Sequence, residues 1–455
     1  MPFISINPAT EEEMDEYPID SENDVQNKLQ KSQMAFADWQ ETSFAERSEK
    51  MQRVAELLRD KKERWAEIMT REMGKPISEA RSEAEKCAWV CEYYAENARE
   101  FLQDDVIGTD ADKSYVRYEP LGAILAIMPW NFPFWQVFRH AAPGLMAGNV
   151  ILLKHAPNVS GCADSIEEIF EDADFSPGII QNLYIETDQV PEIIHDNRTA
   201  GVTLTGSDRA GKQVAEIAGK ALKKTVLELG GSDPFIVLSD ANVQDAAEVG
   251  SGARCLNSGQ SCIAAKRFIV VKEHVEEFTE QLITHMKAYT VGDPLEDETQ
   301  IGPLARKDLR DNLHRQVKYS IREGATTLLG GEPIEGTGYY YKPTILGNVE
   351  PGMPVFDEET FGPVASIIEA RNAEHAIELA NTTKYGLGAS LWTQDLEKAE
   401  ELSREIEAGA VFVNGLVKSD PRLPFGGIKD SGYGRELSYH GIREFTNIKT
   451  VWLTS

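Results

Sequence analysis

Residues 201–238 read GVTLTGSDRAGKQVAEIAGKALKKTVLELGGSDPFIVL. Three short apolar runs within this stretch, at 201–205, 225–229 and 235–238, predict buried strands. The residues between the first two runs predict a helix that begins just after a Gly-Ser turn. Strands that alternate with helices in this way are typical of parallel βαβ units. This stretch therefore predicts an α/β fold.

Further elements of the same kind are predicted on both sides. They are strands at 122–128, 150–153 and 268–271, and helices at 135–147 and 274–290. Residues 23–100 are rich in helix-forming residues, with a break predicted near residues 74–76. Because the alternation continues beyond residues 230–231, we expect a second α/β domain there.

The charge of the chain is strongly acidic. Its 455 residues carry 75 Asp and Glu against 46 Lys and Arg, which gives a formal net charge of −29. Such a surface repels nucleic acid and anionic lipid, so neither is expected as a partner. The acidic residues are spread in short groups, which favours a solvated surface. The alternative is a halophilic protein, adapted to a cytoplasm of high salt concentration.

The ends and the cysteines narrow the class of protein further. The N-terminus shows no signal-peptide pattern, and no apolar run is long enough to cross a membrane, so we expect a soluble cytoplasmic protein. The five cysteines are an odd number and do not indicate a disulfide framework. Cys87 and Cys91 lie one helical turn apart without further ligands at zinc spacing, so a structural role and no metal are expected.

Two residues have side chains suited to covalent chemistry. Cys262 follows a Gly-containing turn in Asn257-Ser258-Gly259-Gln260-Ser261-Cys262 and is a candidate nucleophile, although buried structural cysteines are common. Glu228 lies inside an apolar strand, where burial raises the pKa of a carboxyl group toward that of a general base. The alternative for Glu228 is an ion pair with a hidden arginine.

Two turns could support that chemistry. Asn131, in Pro129-Trp130-Asn131-Phe132-Pro133, could donate its amide to a developing oxyanion, or it could simply form a turn between two prolines. Gly206 and Ser207 stand where a strand leads into a helix, a position that favours a phosphate group. This second turn lacks the usual Gly-x-Gly-x-x-Gly fingerprint, so by itself it is an ordinary strand-to-helix turn.

Taken together and in order, these motifs resemble the aldehyde dehydrogenase superfamily. The resemblance runs from Asn7 to about Val451. It also includes the segments Glu358-Glu359-Thr360-Phe361-Gly362-Pro363, Pro424-Phe425-Gly426-Gly427 and Ser431-Gly432-Tyr433-Gly434-Arg435-Glu436.

The resemblance implies a mechanism of covalent catalysis. Cys262 attacks the aldehyde carbon, and Asn131 and the Cys262 backbone N–H hold the oxyanion. A hydride passes to the nicotinamide and leaves a thioester, and Glu228 then activates the water that hydrolyses it. Glu436 matches a position that relays protons to the general base. Absence of a nicotinamide requirement would instead indicate a thiol hydrolase.

The resemblance also implies which residues bind the cofactor, which is NAD or NADP. Gly206 and Ser207 face the pyrophosphate, and Lys154 reaches the adenosine ribose. Glu359 bonds the nicotinamide ribose, with Phe361 and Trp130 beside it. Members that favour NAD often carry a Glu three residues after this Lys, where this chain has Pro157, so NADP is compatible with the site.

For the substrate, the resemblance is to the branch that contains succinate-semialdehyde dehydrogenases. Arg139 lies eight residues after Asn131, so on a helix both can share a face. A guanidinium there can bind a substrate carboxylate, or it can form a structural salt bridge. A broad-specificity enzyme, or one that acts on glutarate semialdehyde or lactaldehyde, remains open.

The resemblance finally implies the organisation of the chain. The fold expected is aldehyde dehydrogenase-like, with two doubly wound α/β domains and a small β arm for oligomerisation. Residues 1–101 and 121–229 form the cofactor-binding domain and residues 230–441 the catalytic domain, whereas 102–120 and 442–455 form the arm. A homodimer or homotetramer is expected.

Overall fold

A computed structural model describes residues 2–455 of the protein. Within these residues the strands are β1 Phe3–Ile6, β2 Glu13–Tyr17, β3 Asp105–Val106, β4 Lys113–Pro120, β5 Ala123–Met128, β6 Val150–His155, β7 Ile180–Asn182, β8 Thr199–Thr205, β9 Lys224–Glu228, β10 Pro234–Val237, β11 Arg267–Val271, β12 Thr326–Leu329, β13 Thr344–Gly347, β14 Val364–Ala370, β15 Gly388–Trp392, β16 Ala410–Val413, β17 Gly432–Tyr433 and β18 Thr446–Leu453.

The α-helices of the same residues alternate with these strands after a helical N-terminal region. They are α1 Glu22–Trp39, α2 Phe44–Asp60, α3 Lys62–Met73, α4 Ile77–Phe101, α5 Trp135–Met146, α6 Ser160–Asp172, α7 Val190–His195, α8 Asp208–Lys220, α9 Val243–Cys255, α10 Val275–Lys287, α11 Lys307–Arg322, α12 Pro354–Asp357, α13 Ala373–Asn381, α14 Leu396–Ser403 and α15 Ser438–Glu444.

Local sequence signals explain where several helices begin and end. Ser21 and Ser43 cap α1 and α2, because each side chain accepts a hydrogen bond from the backbone N–H three residues later. The break expected near residues 74–76 is present: Gly74 ends α3 in the left-handed conformation, and Pro76 precedes α4.

Two open sheets form the body of the protein, which confirms the α/β fold predicted from the sequence. The first has the strand order β17-β9-β8-β5-β6-β7 and is parallel except for β17. The second has the order β12-β13-β14-β11-β10-β15-β16 and is parallel except for β12. Because β17 lies at Gly432–Tyr433, the chain returns to the first sheet after it has completed the second.

A separate three-stranded sheet has the order β18-β4-β3. Strand β18 pairs with β4 along its whole length, from Thr446 opposite Pro120 to Leu453 opposite Lys113. Ile448, Trp452 and Leu453 on β18 are exposed apolar side chains. None of the helices in residues 2–455 combines the length and apolar character that crossing a membrane requires.

The fold brings several of the candidate site residues to one edge of the first sheet. Glu228 is the last residue of β9, Thr205 ends β8, and Asn131 follows β5 closely. Carboxyl ends of neighbouring parallel strands lie at the same edge, where open α/β sheets bind their ligands. The loop that carries Cys262 leads into β11 of the second sheet and is hydrogen-bonded to Asn131 through Gln260.

Candidate active site

The loop that presents Cys262 has an unusual backbone. After α9, Asn257, Ser258 and Gly259 follow one another with φ angles of 55°, 54° and 77°. Gly259 allows a close approach, because a Cβ there would lie 2.3 Å from the carbonyl carbon of Gly362. The strained loop is therefore fixed against the segment that carries Glu359.

Cys262 itself is half-buried, and a lysine holds its backbone. The Nζ of Lys266 donates to the carbonyl oxygens of Cys262 at 2.7 Å and Ser261 at 3.1 Å. Burial raises the pKa of the Cys262 thiol to about 12, while the positive charges of Arg139 and Lys266 act in the opposite direction. The resting group is thus a thiol that must lose its proton before it can attack a carbon atom.

Asn131 is hydrogen-bonded to the same loop. Its Nδ2 donates to the carbonyl oxygen of Gln260 at 3.1 Å, and its backbone carbonyl oxygen accepts from Nδ2 of Asn257 at 2.7 Å. Only 4% of Asn131 is exposed. An amide held in this way keeps its direction without reorganisation, which suits a donor to an oxyanion.

Glu228 is buried without a hydrogen-bond partner. Its exposed fraction is 2%, and neither carboxyl oxygen is bonded to any of residues 2–455. Burial raises the pKa of Glu228, Arg139 and Arg435 lower it, and Glu436 raises it. Gly426 permits this packing, since a Cβ there would lie 2.6 Å from Oε1 of Glu228. An unsatisfied buried carboxyl group costs stability, which is expected of a functional group.

Arg139 forms an ion pair with Glu436 in the wall of the site. Its Nη2 donates to Oγ1 of Thr205 at 3.2 Å, and its guanidinium carbon lies 4.6 Å from the centre of the Phe425 ring. The structural salt bridge considered for this residue is therefore present. The contact between Arg139 and a substrate carboxylate stays a prediction.

A cavity of about 250 Å³ opens beside Cys262. Its lining includes Lys86, Phe132, Trp135, Arg139, Cys262 and Phe425. The aromatic side chains provide an apolar wall for a short carbon chain, and the lysine and arginine provide positive charge. This cavity has the size and the lining of a site for a small anionic molecule.

A second cavity, of about 440 Å³, lies beside α8 on the first sheet. Ile127, Val190, Leu204 and Val214 give it apolar walls, and Lys154 reaches into it. Burial lowers the pKa of the Lys154 ammonium, and its Nζ donates only to the carbonyl oxygen of His155, at 3.4 Å. An apolar slot with one lysine fits the adenosine end of a nicotinamide cofactor.

The start of α8 lies at the edge of the second cavity. Ser207 is the N-cap of this helix and accepts from the backbone N–H of Ala210 at 3.3 Å. At Gly206 an added Cβ would meet only Leu204 Cδ2, at 3.5 Å, so the approach to the backbone is open. A helix start that is accessible in this way fits the pyrophosphate of the cofactor.

Glu359, Phe361 and Trp130 form a further group of candidate cofactor residues. Oε1 of Glu359 accepts from the backbone N–H of Gly231 at 3.0 Å and lies 4.0 Å from Nζ of Lys266. The Trp130 and Phe361 rings meet edge to face, with centroids 5.8 Å apart. These groups fit the nicotinamide riboside: the carboxylate can accept from ribose hydroxyls, and the rings can cover an aromatic group.

Sequence reasoning missed three residues of the site. Lys266 and Asn257 hold the Cys262 loop, and Lys86 lines the first cavity. Lys266 lies four residues after the nucleophile, which is a usable signal. Lys86 belongs to a long helix with no local motif, so only the fold reveals it.

Comparisons with known proteins match one family over nearly the whole chain. The model of the aldehyde dehydrogenase family matches residues 2–451. Succinate semialdehyde dehydrogenase [NAD(P)+] Sad of Escherichia coli is 49% identical over 449 residues, which is 99% of this chain and 97% of that protein. Succinate-semialdehyde dehydrogenase [NADP(+)] 1 of Mycobacterium tuberculosis is 46% identical, with full coverage of both chains. The crystal structure of succinic semialdehyde dehydrogenase from Streptococcus pyogenes in complex with NADP+ superposes with a TM-score of 0.97 at 39% identity, again over both whole chains.

Proposed function

Because this chain belongs to the aldehyde dehydrogenase family, we propose that it oxidises succinate semialdehyde to succinate with NAD or NADP. The observation that carries the proposal is the grouping of Cys262, Asn131 and Glu228 at one edge of the first sheet. Arg139 affects the pKa of both Cys262 and Glu228, so these two reactive groups share one electrostatic environment.

The reaction begins at the nucleophile. Loss of the thiol proton to solvent allows the Cys262 sulfur to bond the aldehyde carbon, and the developing oxyanion is stabilised by the Asn131 amide. The nicotinamide ring, when bound, supplies the acceptor for the hydride that leaves this carbon. Asn131 and the Lys266-anchored backbone keep the resulting thioester in place.

Glu228 acts in the second half of the reaction. Its raised pKa suits a carboxylate that accepts a proton from water near neutral pH, and this water hydrolyses the thioester. Arg139 and Glu436 form a buried ion pair next to Glu228. Arg139 lowers the pKa of Glu228, and Glu436 raises it. Gly206, Ser207, Lys154, Glu359, Phe361 and Trp130 would hold the cofactor.

The names of the relatives and the first cavity both support the proposed substrate. Succinate semialdehyde has an apolar centre and one carboxylate, and the cavity has aromatic walls and positive side chains. Glutarate semialdehyde and lactaldehyde are the alternative small substrates. Both NAD and NADP occur in the names of the relatives. Pro157 stands where family members that favour NAD often carry a Glu, so no acid at this residue would repel the 2′-phosphate of NADP.

The organisation of the chain follows the same family. We propose that β3, β4 and β18 form an arm through which two or four copies assemble, supported by the exposed Ile448, Trp452 and Leu453 on β18. The proposed division is 1–101 with 121–229 for the cofactor and 230–441 for catalysis. A cytoplasmic location and adaptation to high salt stay predictions.

Initial rates of nicotinamide reduction test the proposed function. Purified protein is assayed with succinate semialdehyde or butanal, each with NAD and with NADP, and Cys262→Ala is the control. A kcat/KM at least about 100-fold higher for the semialdehyde, equivalent to about 2.7 kcal/mol, is expected. Equal values would favour a broad-specificity enzyme, and no reduction with either cofactor would contradict the oxidoreductase function.

A further inference from the structure

His155 is a buried residue at the carboxyl end of β6 that the proposed reaction does not use. It is paired with Met128 at the end of β5, and only 7% of it is exposed. Lys154, a candidate cofactor residue, directly precedes it, and the segment that carries Asn131 follows β5. His155 therefore stands at the edge of the sheet where two parts of the candidate site begin.

Both ring nitrogens of His155 are hydrogen-bonded to the backbone. Nε2 lies 2.8 Å from the carbonyl oxygen of Pro133, which can only accept, so Nε2 carries the hydrogen. Nδ1 lies 2.9 Å from the backbone nitrogen of Ala156 and accepts its hydrogen. The ring is thus in its neutral form, and it joins the segment after β5 to the turn after β6.

The surroundings of His155 keep the ring neutral. Burial lowers the pKa of His155 to about 4, the backbone carbonyl groups of Pro133 and Met128 raise it in part, and the positive charge of Lys154 lowers it. The side chain also lines neither of the two cavities of the site. At neutral pH the ring therefore serves neither as an acid nor as a base, and its contribution lies in its two hydrogen bonds.

The bond to Pro133 reaches the segment that presents the candidate oxyanion donor. Asn131 stands two residues before Pro133, and the rings of Pro129 and Pro133 restrict the backbone on both sides of it. The backbone carbonyl of Asn131 accepts from Asn257, and its side chain donates to Gln260. Because this short segment is stiff, a shift of Pro133 is transmitted to the Asn131 amide.

We infer that His155 is a positioning residue, which holds the Asn131 amide in the direction of the oxyanion through its hydrogen bond to Pro133. The inference rests on the proposed function, in which Asn131 stabilises the negative charge that develops on the aldehyde oxygen. A displacement of about 1 Å in an active site can cost about 100-fold in rate. Loss of the bond to Pro133 should therefore affect the reaction, although the ring lies outside both cavities.

His155→Gln and His155→Asn separate the two hydrogen bonds of the ring. Glutamine places its amide near the position of Nε2 and can still donate to Pro133, whereas asparagine places its amide near Nδ1 and is too short to reach Pro133. His274→Asn is the matched control, because Nε2 of His274 also bonds a backbone carbonyl, that of Ser239, at 2.8 Å. Each variant is made with and without Asn131→Ala, and kinetics are recorded well below the lowest melting temperature.

With Asn131 present, we expect His155→Asn to lower kcat and kcat/KM together by about 10- to 100-fold, since the affected interaction belongs to the transition state. KM for the aldehyde and for the cofactor should change little, His155→Gln should recover most of the loss, and His274→Asn should leave kcat unchanged. Asn131→Ala should itself cost about 100- to 1,000-fold. In that background His155→Asn should cost less than about threefold, because no amide is left to position.

Equal losses from His155→Asn with and without the Asn131 amide would overturn the inference, since two independent effects multiply. Equal losses in His155→Gln and His155→Asn would overturn it as well, and so would a lower melting temperature with unchanged kcat. If His155→Asn does not fold, His155→Phe, which fills the space of the ring without either nitrogen, takes its place in the same comparison. Failure of the proposed function has a different signature, because the unsubstituted enzyme would then reduce neither NAD nor NADP with succinate semialdehyde.

Discussion

Arg139 and Glu436 form a buried ion pair, and the charges of both side chains act on Glu228. Arg139 reaches this position from α5, and Glu436 from the segment that precedes α15. The pair therefore connects the first sheet with the C-terminal part of the chain at the catalytic edge. Its two charges shift the pKa of Glu228 in opposite directions, so each can be tested by substitution.

Replacement of Glu436 with Gln should move the acidic limb of the pH profile of kcat to lower pH. The reason is that the Glu436 charge raises the pKa of Glu228, while Arg139 remains to lower it. The measurement is kcat for succinate semialdehyde across a pH series. An unchanged or higher position of the limb would contradict the electrostatic role of Glu436.

The same replacement should lower stability. It leaves the Arg139 guanidinium buried without its carboxylate, and removal of one partner of a buried pair costs about 3–5 kcal/mol. Chemical denaturation at neutral pH gives the free energy of unfolding. Glu216→Gln, in the exposed pair with Lys220, is the matched control and should change it little.

Glu228→Gln should separate the two halves of the reaction. Because the amide cannot accept a proton from water, hydrolysis of the thioester should slow by about 100- to 10,000-fold. The thioester and the reduced nicotinamide form before this hydrolysis and do not depend on it. A rapid burst of reduced nicotinamide should therefore precede the slow steady state. A stopped-flow trace without a burst, at equally reduced kcat, would place Glu228 in the first half instead.

Gly259→Ala should disturb the nucleophile loop. The new Cβ would overlap the carbonyl carbon of Gly362 and would also strain a φ of 77°. We expect kcat to fall and the free energy of unfolding to decrease by more than the 1–3 kcal/mol typical of backbone strain alone. Gly352→Ala is the matched control, because its φ is 99° but no atom lies within 4 Å of the added Cβ. Equal losses of stability in both variants would show that overlap at residue 259 is unimportant.

His140 should make stability depend on acid pH. It is buried on α5 without a hydrogen bond at Nε2, and burial lowers its pKa from 6.5 to about 3. The unfolded chain binds a proton near pH 6.5 and the folded one does not, so stability present above pH 6.5 is lost as the pH falls toward 3, at up to about 1.4 kcal/mol per pH unit. His140→Phe should lack this contribution, which denaturation of both proteins at pH 7 and pH 5 would measure.

Much of the fold could be predicted because its signals are local. The apolar runs predicted at 225–229 and 235–238 correspond to β9 and β10, and β18 at Thr446–Leu453 lies within residues 442–455, which the family resemblance implies for the arm. Glu228 could be singled out because a carboxyl group in an apolar strand contradicts the pattern around it. Cys262 and Asn131 needed the combination of several motifs.

The remaining features depend on contacts between distant segments. The sequence gives no local sign that Arg139 pairs with Glu436, since either residue could equally face solvent or substrate. Lys86 lies on a helix in which charged residues are frequent. Its contacts with Ser419 and Trp135 depend on how α4 packs against distant segments, so the sequence alone does not reveal them. The left-handed backbone at Asn257 and Ser258 is likewise imposed by packing, because neither residue type requires it.

The covalent role of Cys262 is the central claim, and mass spectrometry tests it most directly. Glu228→Gln enzyme is mixed with succinate semialdehyde and NADP, quenched in acid within the burst phase, digested and analysed, with Cys262→Ser as the control. The account predicts one succinyl group on the peptide that contains Cys262 and none in the control. Reduced nicotinamide formed in the burst without any adduct on this peptide would contradict it.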